Sequence, residues 1–126
     1  MSEAPITPHA TFRMHTKQAL RALSALAQES RLAVFKLLVR HGKEGLPAGQ
    51  ISEELSIPAA TLSFHLSQLT NAKLLVSRRE GRTIYYAANY ERMQGLLSYL
   101  LERCYEVTGE RDDDDVVPPG TSTDAA

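Results

Sequence analysis

Two short segments with helical apolar spacing, separated by a break at residues 56–58, constrain this fold more than any other feature. Pro47 suits the first turn of a short helix that ends near residue 55. After the break, Leu62, Leu66 and Leu69 recur at helical spacing and predict a second helix over about residues 58–72. Two short helices joined by a tight turn, with a polar outward face on the second, are typical of a helix-turn-helix.

Further helices are predicted on both sides of this motif. An amphipathic first helix is expected over about residues 11–27, and a second over residues 31–41, with Ser30 as its N-cap and Gly42 at its end. The second helix has more apolar residues than one buried face can hold, so we expect it to lie at the centre of the domain. A last helix is predicted over residues 90–107, with a stripe of residues at alternating spacings of four and three. The stripe consists of Met93, Leu97, Leu100, Cys104 and Val107.

Residues 74–87 predict a β-hairpin, because β-favouring runs flank Gly81, which supplies the turn. Arg78, Arg79 and Arg82 cluster at its tip. The predicted fold class is therefore mainly α with a β-hairpin wing, a winged helix-turn-helix. In such a domain a helix fits the DNA major groove, while the hairpin reaches the adjacent backbone or minor groove.

The candidate DNA-binding residues lie on the outward face of the helix over residues 58–72 and on the wing. Taken alone, the polar residues of this helix are more simply interpreted as a solvent-exposed face. Together with the arginine cluster on the nearby hairpin, they favour DNA binding. His65 has an alternative role as a hydrogen-bonding residue that positions the helix. The full set is Ala59, Ala60, Thr61, Ser63, Phe64, His65, Ser67, Gln68, Arg78, Arg79 and Arg82.

Charge is distributed unevenly along the chain. Residues 106–126 carry seven acidic residues and one arginine, whereas residues 1–105 have a net charge of +5. We expect a loose arm over residues 1–11, one domain over residues 12–108 and a disordered acidic tail over residues 109–126. The sequence contains neither a run of about 18 apolar residues nor a secretory signal, so a cytoplasmic protein is expected.

Several motifs together resemble the ArsR/SmtB family of bacterial repressors, over about residues 12–108. They are Leu62-Ser63-Phe64-His65-Leu66, Leu74-Leu75-Val76, Arg79-Glu80-Gly81-Arg82 and Ile84-Tyr85-Tyr86. The resemblance implies a homodimer paired through its first and last helices, which binds a palindromic operator in double-stranded DNA and releases it when an effector binds. It also implies base reading by residues 59–65. The expected dimer interface comprises Leu20, Leu23, Met93, Leu97 and Leu100.

The effector site departs from the family pattern. Residues 46–51 lack the Cys-x-Cys pair of arsenic-responsive members, and Cys104-Tyr105 stands where one subgroup has adjacent cysteines. One thiol per chain is too few for a metalloid, although two copies of Cys104 could bridge one across the dimer. Cys104 as a packing residue is the alternative. Because no histidine lies on the last helix, we expect no metal site and no bound cofactor.

No enzyme motif is present: the sequence has no phosphate-binding glycine loop, HExxH or nucleophile elbow. We therefore expect a non-enzymatic DNA-binding regulator. The rival hypothesis is a winged-helix protein-interaction module that does not bind specific DNA and uses the acidic tail to contact a partner. The arginine cluster on the hairpin distinguishes the two, since an interaction module does not need it.

Overall fold

The computed structural model describes residues 13–105, with the backbone alone for residues 103–105. In this range the fold consists of five α-helices and a small three-stranded antiparallel sheet, whose central strand is the last of the three in sequence. The predicted mainly α fold with a hairpin wing is confirmed. The elements are α1 (Thr16–Leu26), α2 (Glu29–Arg40), a 3-10 turn (Gly42–Glu44), β1 (Leu46–Pro47), α3 (Ala48–Leu55), α4 (Ala59–Asn71), β2 (Leu75–Glu80), β3 (Thr83–Ala88) and α5 (Tyr90–Tyr105).

Helix α2 forms the centre of the core, as its apolar sequence predicted. Its residues Val34, Leu37 and Leu38 are almost completely buried. The other members of the core come from α1, α3, α4, the sheet, α5 and adjoining loops, so one buried cluster joins the five helices to the sheet. Leu96 is the buried contribution of α5.

Helix α1 faces this core mainly with alanines, joined by the partly buried Leu26. Ala19, Ala22 and Ala25 are buried, whereas Leu20 and Leu23 are exposed on the opposite side. Small side chains allow the helix backbone to approach the core closely. The two leucines assigned to a dimer interface therefore lie on the outer surface of the chain.

Two helix starts differ from the predicted ones. Helix α2 begins before Ser30, because the Gln28 side chain accepts a hydrogen bond from the Arg31 backbone N–H at 2.8 Å and so caps the helix. Helix α1 begins at Thr16, later than predicted, with His15 as its N-cap. The remaining helices begin and end within a few residues of the predicted positions.

A tight turn fixes α3 against α4. Ser56 adopts a left-handed conformation (φ 55°), and the Ile57 N–H donates to the Ser52 carbonyl at 3.1 Å. The Ser52 hydroxyl in turn donates to the Ile57 carbonyl. Pro47 and Pro58 stand at the N-cap positions of α3 and α4, one residue before each helix begins. This turn confirms the helix-turn-helix.

The wing is attached to the domain by a strand that the sequence did not predict. β1 pairs with β3 through Leu46 opposite Tyr86. Gly45 precedes this strand with φ 70°, and a Cβ there would clash with the Tyr86 carbonyl, so the position requires glycine. At the tip of the wing, Gly81 (φ 65°) turns the chain from β2 into β3 as expected.

The predicted arm over residues 1–11 and tail over residues 109–126 lie outside the described residues and stay predictions. Within residues 13–105, none of the helices has the length and apolar character required to cross a bilayer.

Candidate nucleic-acid interface

Helix α4 exposes most of the side chains that the sequence assigned to DNA. Its inner side is buried through Leu62, Leu66 and Leu69, so the opposite side faces solvent. The exposed candidates on it are Ala59, Ala60, Thr61, Ser63, Phe64 and Ser67. Gln68 is half-buried at the edge of this surface. The surface combines methyl, hydroxyl, amide and phenyl groups, which are suited to contact with base edges.

His65 is the exception among the candidates on α4, because it is buried, with 7% of its surface exposed. It lies three residues after Leu62 and next to Leu66, so the helical period directs it toward the core. Its Nδ1 lies 3.4 Å from Nη1 of Arg31 and accepts a hydrogen bond from that guanidinium. The expectation that His65 lies on the outward face is therefore wrong, and its alternative role as a positioning residue agrees with this contact.

Burial lowers the pKa of His65, and the positive charge of Arg31 lowers it further. The imidazole is therefore held neutral, as an acceptor on Nδ1 requires. Protonation would place two positive charges against each other beneath the exposed face of α4.

Arg31 is a positioning residue that the sequence analysis missed. Its Nε donates to the Ala25 carbonyl at 2.7 Å, while its Nη1 contacts His65. It thus connects the end of α1 with α4. An arginine in the first turn of a helix opposes the helix dipole and is unusual there, but this signal does not identify its partners.

The three arginines of the wing fall into two groups. Arg78 is engaged within the protein: its Nε donates to the Glu80 carboxylate at 3.0 Å, and its Nη1 donates to the Glu44 carbonyl at 2.9 Å. Its guanidinium also lies 4.7 Å from the centre of the Tyr85 ring. Arg78 thereby ties β2 to β3 and to the 3-10 turn.

Arg79 and Arg82 are both exposed. Neither side chain makes a hydrogen bond or ion pair with another residue of the described range. Their guanidinium groups are therefore available to a partner, and the planar donor set of a guanidinium matches a phosphate. The positive charge of the wing that is available to DNA is concentrated on these two residues.

A second exposed surface is apolar and lies on α1 and α5. Leu20, Leu23, Leu97 and Leu100 are exposed, as a dimer interface requires, and Leu101 joins them although it was not predicted. Met93 differs, because it is half-buried and packs against the core of its own chain. The hydroxyl groups of Thr16 and Tyr99 hydrogen bond at 2.6 Å and hold the two helices side by side.

The candidate effector residue Cys104 lies on α5, in the part for which only the backbone is described, so its role stays a prediction. Among the side chains that the structure describes, no three or more His, Cys, Asp or Glu residues come together as metal ligands.

Comparisons with known proteins agree with this architecture. A family model for a helix-turn-helix domain matches residues 26–78. YceK, an HTH-type transcriptional regulator of Bacillus subtilis, is 37% identical over 78 residues, which are 62% of this chain and 77% of that protein. The arsenical resistance operon repressor of Bacillus subtilis is 33% identical over 88 residues, 70% of this chain and 82% of that protein.

A solved structure shares the fold at lower sequence identity. The homodimeric winged helix-turn-helix DNA-binding domain of Mb0332 from Mycobacterium bovis superposes with a TM-score of 0.56 at 24% identity, covering 76% of this chain and 89% of that one. The helix-turn-helix, the wing and the identity to these regulators together establish the family. This chain belongs to the ArsR family of winged helix-turn-helix transcriptional regulators.

Proposed function

We propose that this protein is a homodimeric repressor that binds a palindromic operator in double-stranded DNA and releases it when an effector binds. The observation that carries the proposal is the placement of two free arginines, Arg79 and Arg82, on a wing beside the exposed face of α4. A helix that reads base edges and a cationic hairpin that binds the backbone are the two parts of a specific DNA contact. The proposed activity includes no catalytic step.

Dimerisation is supported by the exposed apolar surface on α1 and α5. The five exposed leucines on these two helices are unfavourable in water, and pairing with a second copy would bury them. The solved relative from Mycobacterium bovis is itself homodimeric. Two copies related by a two-fold axis would present two α4 helices to successive half-sites, which is why we propose a palindromic operator.

Repression is supported by the arsenical resistance operon repressor among the relatives. An effector that changes the relative position of the two α4 helices would weaken the complex, since half-site spacing is fixed by the DNA helical repeat. A metalloid could reach only one Cys104 thiolate from each copy, two in all, so we do not expect a metalloid to be the effector. A regulator of this kind acts in the cytoplasm, in contact with the chromosome.

A binding measurement with the full-length protein tests the proposed function. DNA from the region upstream of its own gene is compared with a shuffled duplex of equal length, at several salt concentrations, and the number of chains per duplex is determined. We expect two chains on one site, tighter binding to the natural duplex, and an affinity that falls with salt. Equal and weak binding to both duplexes would instead favour the protein-interaction module.

A further inference from the structure

Helix α4 has no charged side chain anywhere along its length. Its thirteen residues read AATLSFHLSQLTN. The commonest specific contact of a recognition helix, a bidentate arginine or lysine on guanine, is therefore not available from α4. Sequence reading by this helix must depend on its neutral groups, and the positive charge of the interface comes from the wing.

Phe64 is the largest group on the outward face. Its side chain is 56% exposed, although the core side of the same helix is filled by leucines. Ala60 lies one turn before it and Ser67 one turn after it, and both are exposed. The Phe64 ring therefore lies near the middle of the face of α4 that would enter the major groove.

The orientation of the Phe64 ring is supported by the neighbouring ring of His65. The centroid of the Phe64 ring lies 5.8 Å from that of His65, with the two planes tilted by 59°. His65 is buried and held by Arg31, so one neighbour of the exposed ring is fixed. Tilted aromatic pairs of this separation are favourable, and the contact limits the freedom of Phe64.

Resting on the proposed operator binding, we propose that Phe64 reads a thymine methyl group in the major groove. The thymine C5-methyl is the one apolar group that bases display there, and apolar side chains recognise it. The exposed methyl groups of Ala60 and Thr61 extend the same apolar surface. Each operator half-site therefore carries an A·T pair opposite the middle of α4, where a G·C pair would leave the ring without its partner.

The test begins with selection of tight-binding duplexes from a random library by the full-length protein. Each symmetric pair of thymines in the selected site is then replaced by deoxyuridine, which removes the methyl group and keeps base pairing. Affinities are measured for the wild type, Phe64→Ala and Ser67→Ala. Ser67→Ala is the matched control for the methyl penalty alone: Ser67 is another candidate contact on the same face, so its loss should change the affinity for both duplexes alike.

We expect one thymine pair at which deoxyuridine weakens wild-type binding about fourfold per half-site, or about sixteenfold for both, as loss of one buried methyl group predicts. The penalty should persist in Ser67→Ala and disappear in Phe64→Ala. Phe64→Leu, which keeps an apolar contact, should retain part of it and serves if Phe64→Ala does not fold.

Two results would overturn the proposal while leaving operator binding intact. One is a selected site in which no thymine methyl affects wild-type binding. The other is a penalty of equal size in the wild type and Phe64→Ala, which would assign the methyl contact to another residue. Failure to select any sequence would contradict the proposed function itself, and the inference with it.

Discussion

The wing arginines should differ in what they contribute, although the sequence presents them as one cluster. The side chains of Arg79 and Arg82 make no hydrogen bond or ion pair within the described residues, whereas Arg78 bonds Glu80 and the Glu44 carbonyl. We predict that Arg79→Gln with Arg82→Gln weakens DNA binding and leaves stability unchanged. Arg78→Gln should lower stability and leave the salt dependence of binding unchanged.

The magnitudes follow from these contacts. Each phosphate contact contributes about 0.9 to the slope of log K against log salt, so two arginines on each of two wings account for about 3.6. Arg78 has 42% of its side chain exposed, which reduces what its charged hydrogen bonds contribute to stability. We expect Arg78→Gln to destabilise the fold by about 1 kcal/mol, and so to lower the melting temperature by roughly 4–8 °C.

Two measurements separate these effects. Binding of a labelled operator is followed by fluorescence anisotropy from about 50 to about 200 mM salt, and melting by circular dichroism. Lys36→Gln, which removes one charge from an exposed position on α2, is the matched control. If Arg78→Gln reduced the salt slope by about 1.8, half the effect of the double variant, and melted like the wild type, Arg78 would have to leave its protein partners for a phosphate, and the reasoning would be refuted.

Further predictions concern the dimer, the buried histidine, the acidic tail and Cys104. Leu97→Asp should give a monomer in sedimentation, because it places an unpaired charge in an apolar interface, whereas Val76→Asp, exposed on the wing, should remain a dimer. The pKa of His65 is lowered in the folded protein, so stability should fall as pH drops below about 6.5. His65→Gln should show a smaller fall in melting temperature over the same pH range. Equal falls in the two proteins would exclude His65 as the cause. Deleting residues 109–126 removes a net charge of −5 per chain, so the truncated protein should associate with DNA faster than the full-length protein at low salt. The two rates should converge at high salt. Equal rates at low salt would contradict this prediction. Arsenite should release operator weakly or not at all; tight release that is lost in Cys104→Ser would make Cys104 the sensor.

The helices and the hairpin could be predicted because each depends on a local pattern. Leu62, Leu66 and Leu69 repeat at the helical period, and Gly81 supplies a turn between β-favouring runs. β1 could not be predicted in this way. It has two residues, Leu46 and Pro47, and exists only because β3 pairs with it.

The candidate interface was predicted as a surface but not residue by residue. His65 and Arg78 were assigned to DNA from their residue types, while the structure engages both with partners distant in sequence: Arg31 for His65, and the 3-10 turn for Arg78. Periodicity alone could have placed His65 inside, because it shares a side with Leu62. The contact of Arg78 depends on where the turn lies relative to the wing, which no local pattern specifies.

The contacts of Arg31 give the molecule a physical connection between its two proposed surfaces. α1 carries the exposed Leu20 and Leu23, and Arg31 bonds the Ala25 carbonyl at the end of that helix. The same guanidinium bonds His65 beneath the exposed face of α4. A rotation of α1 in the dimer would therefore strain the hydrogen bonds of Arg31, which join the end of α1 to α4. Because successive half-sites tolerate little change in spacing, even a small displacement transmitted through Arg31 would act on operator affinity.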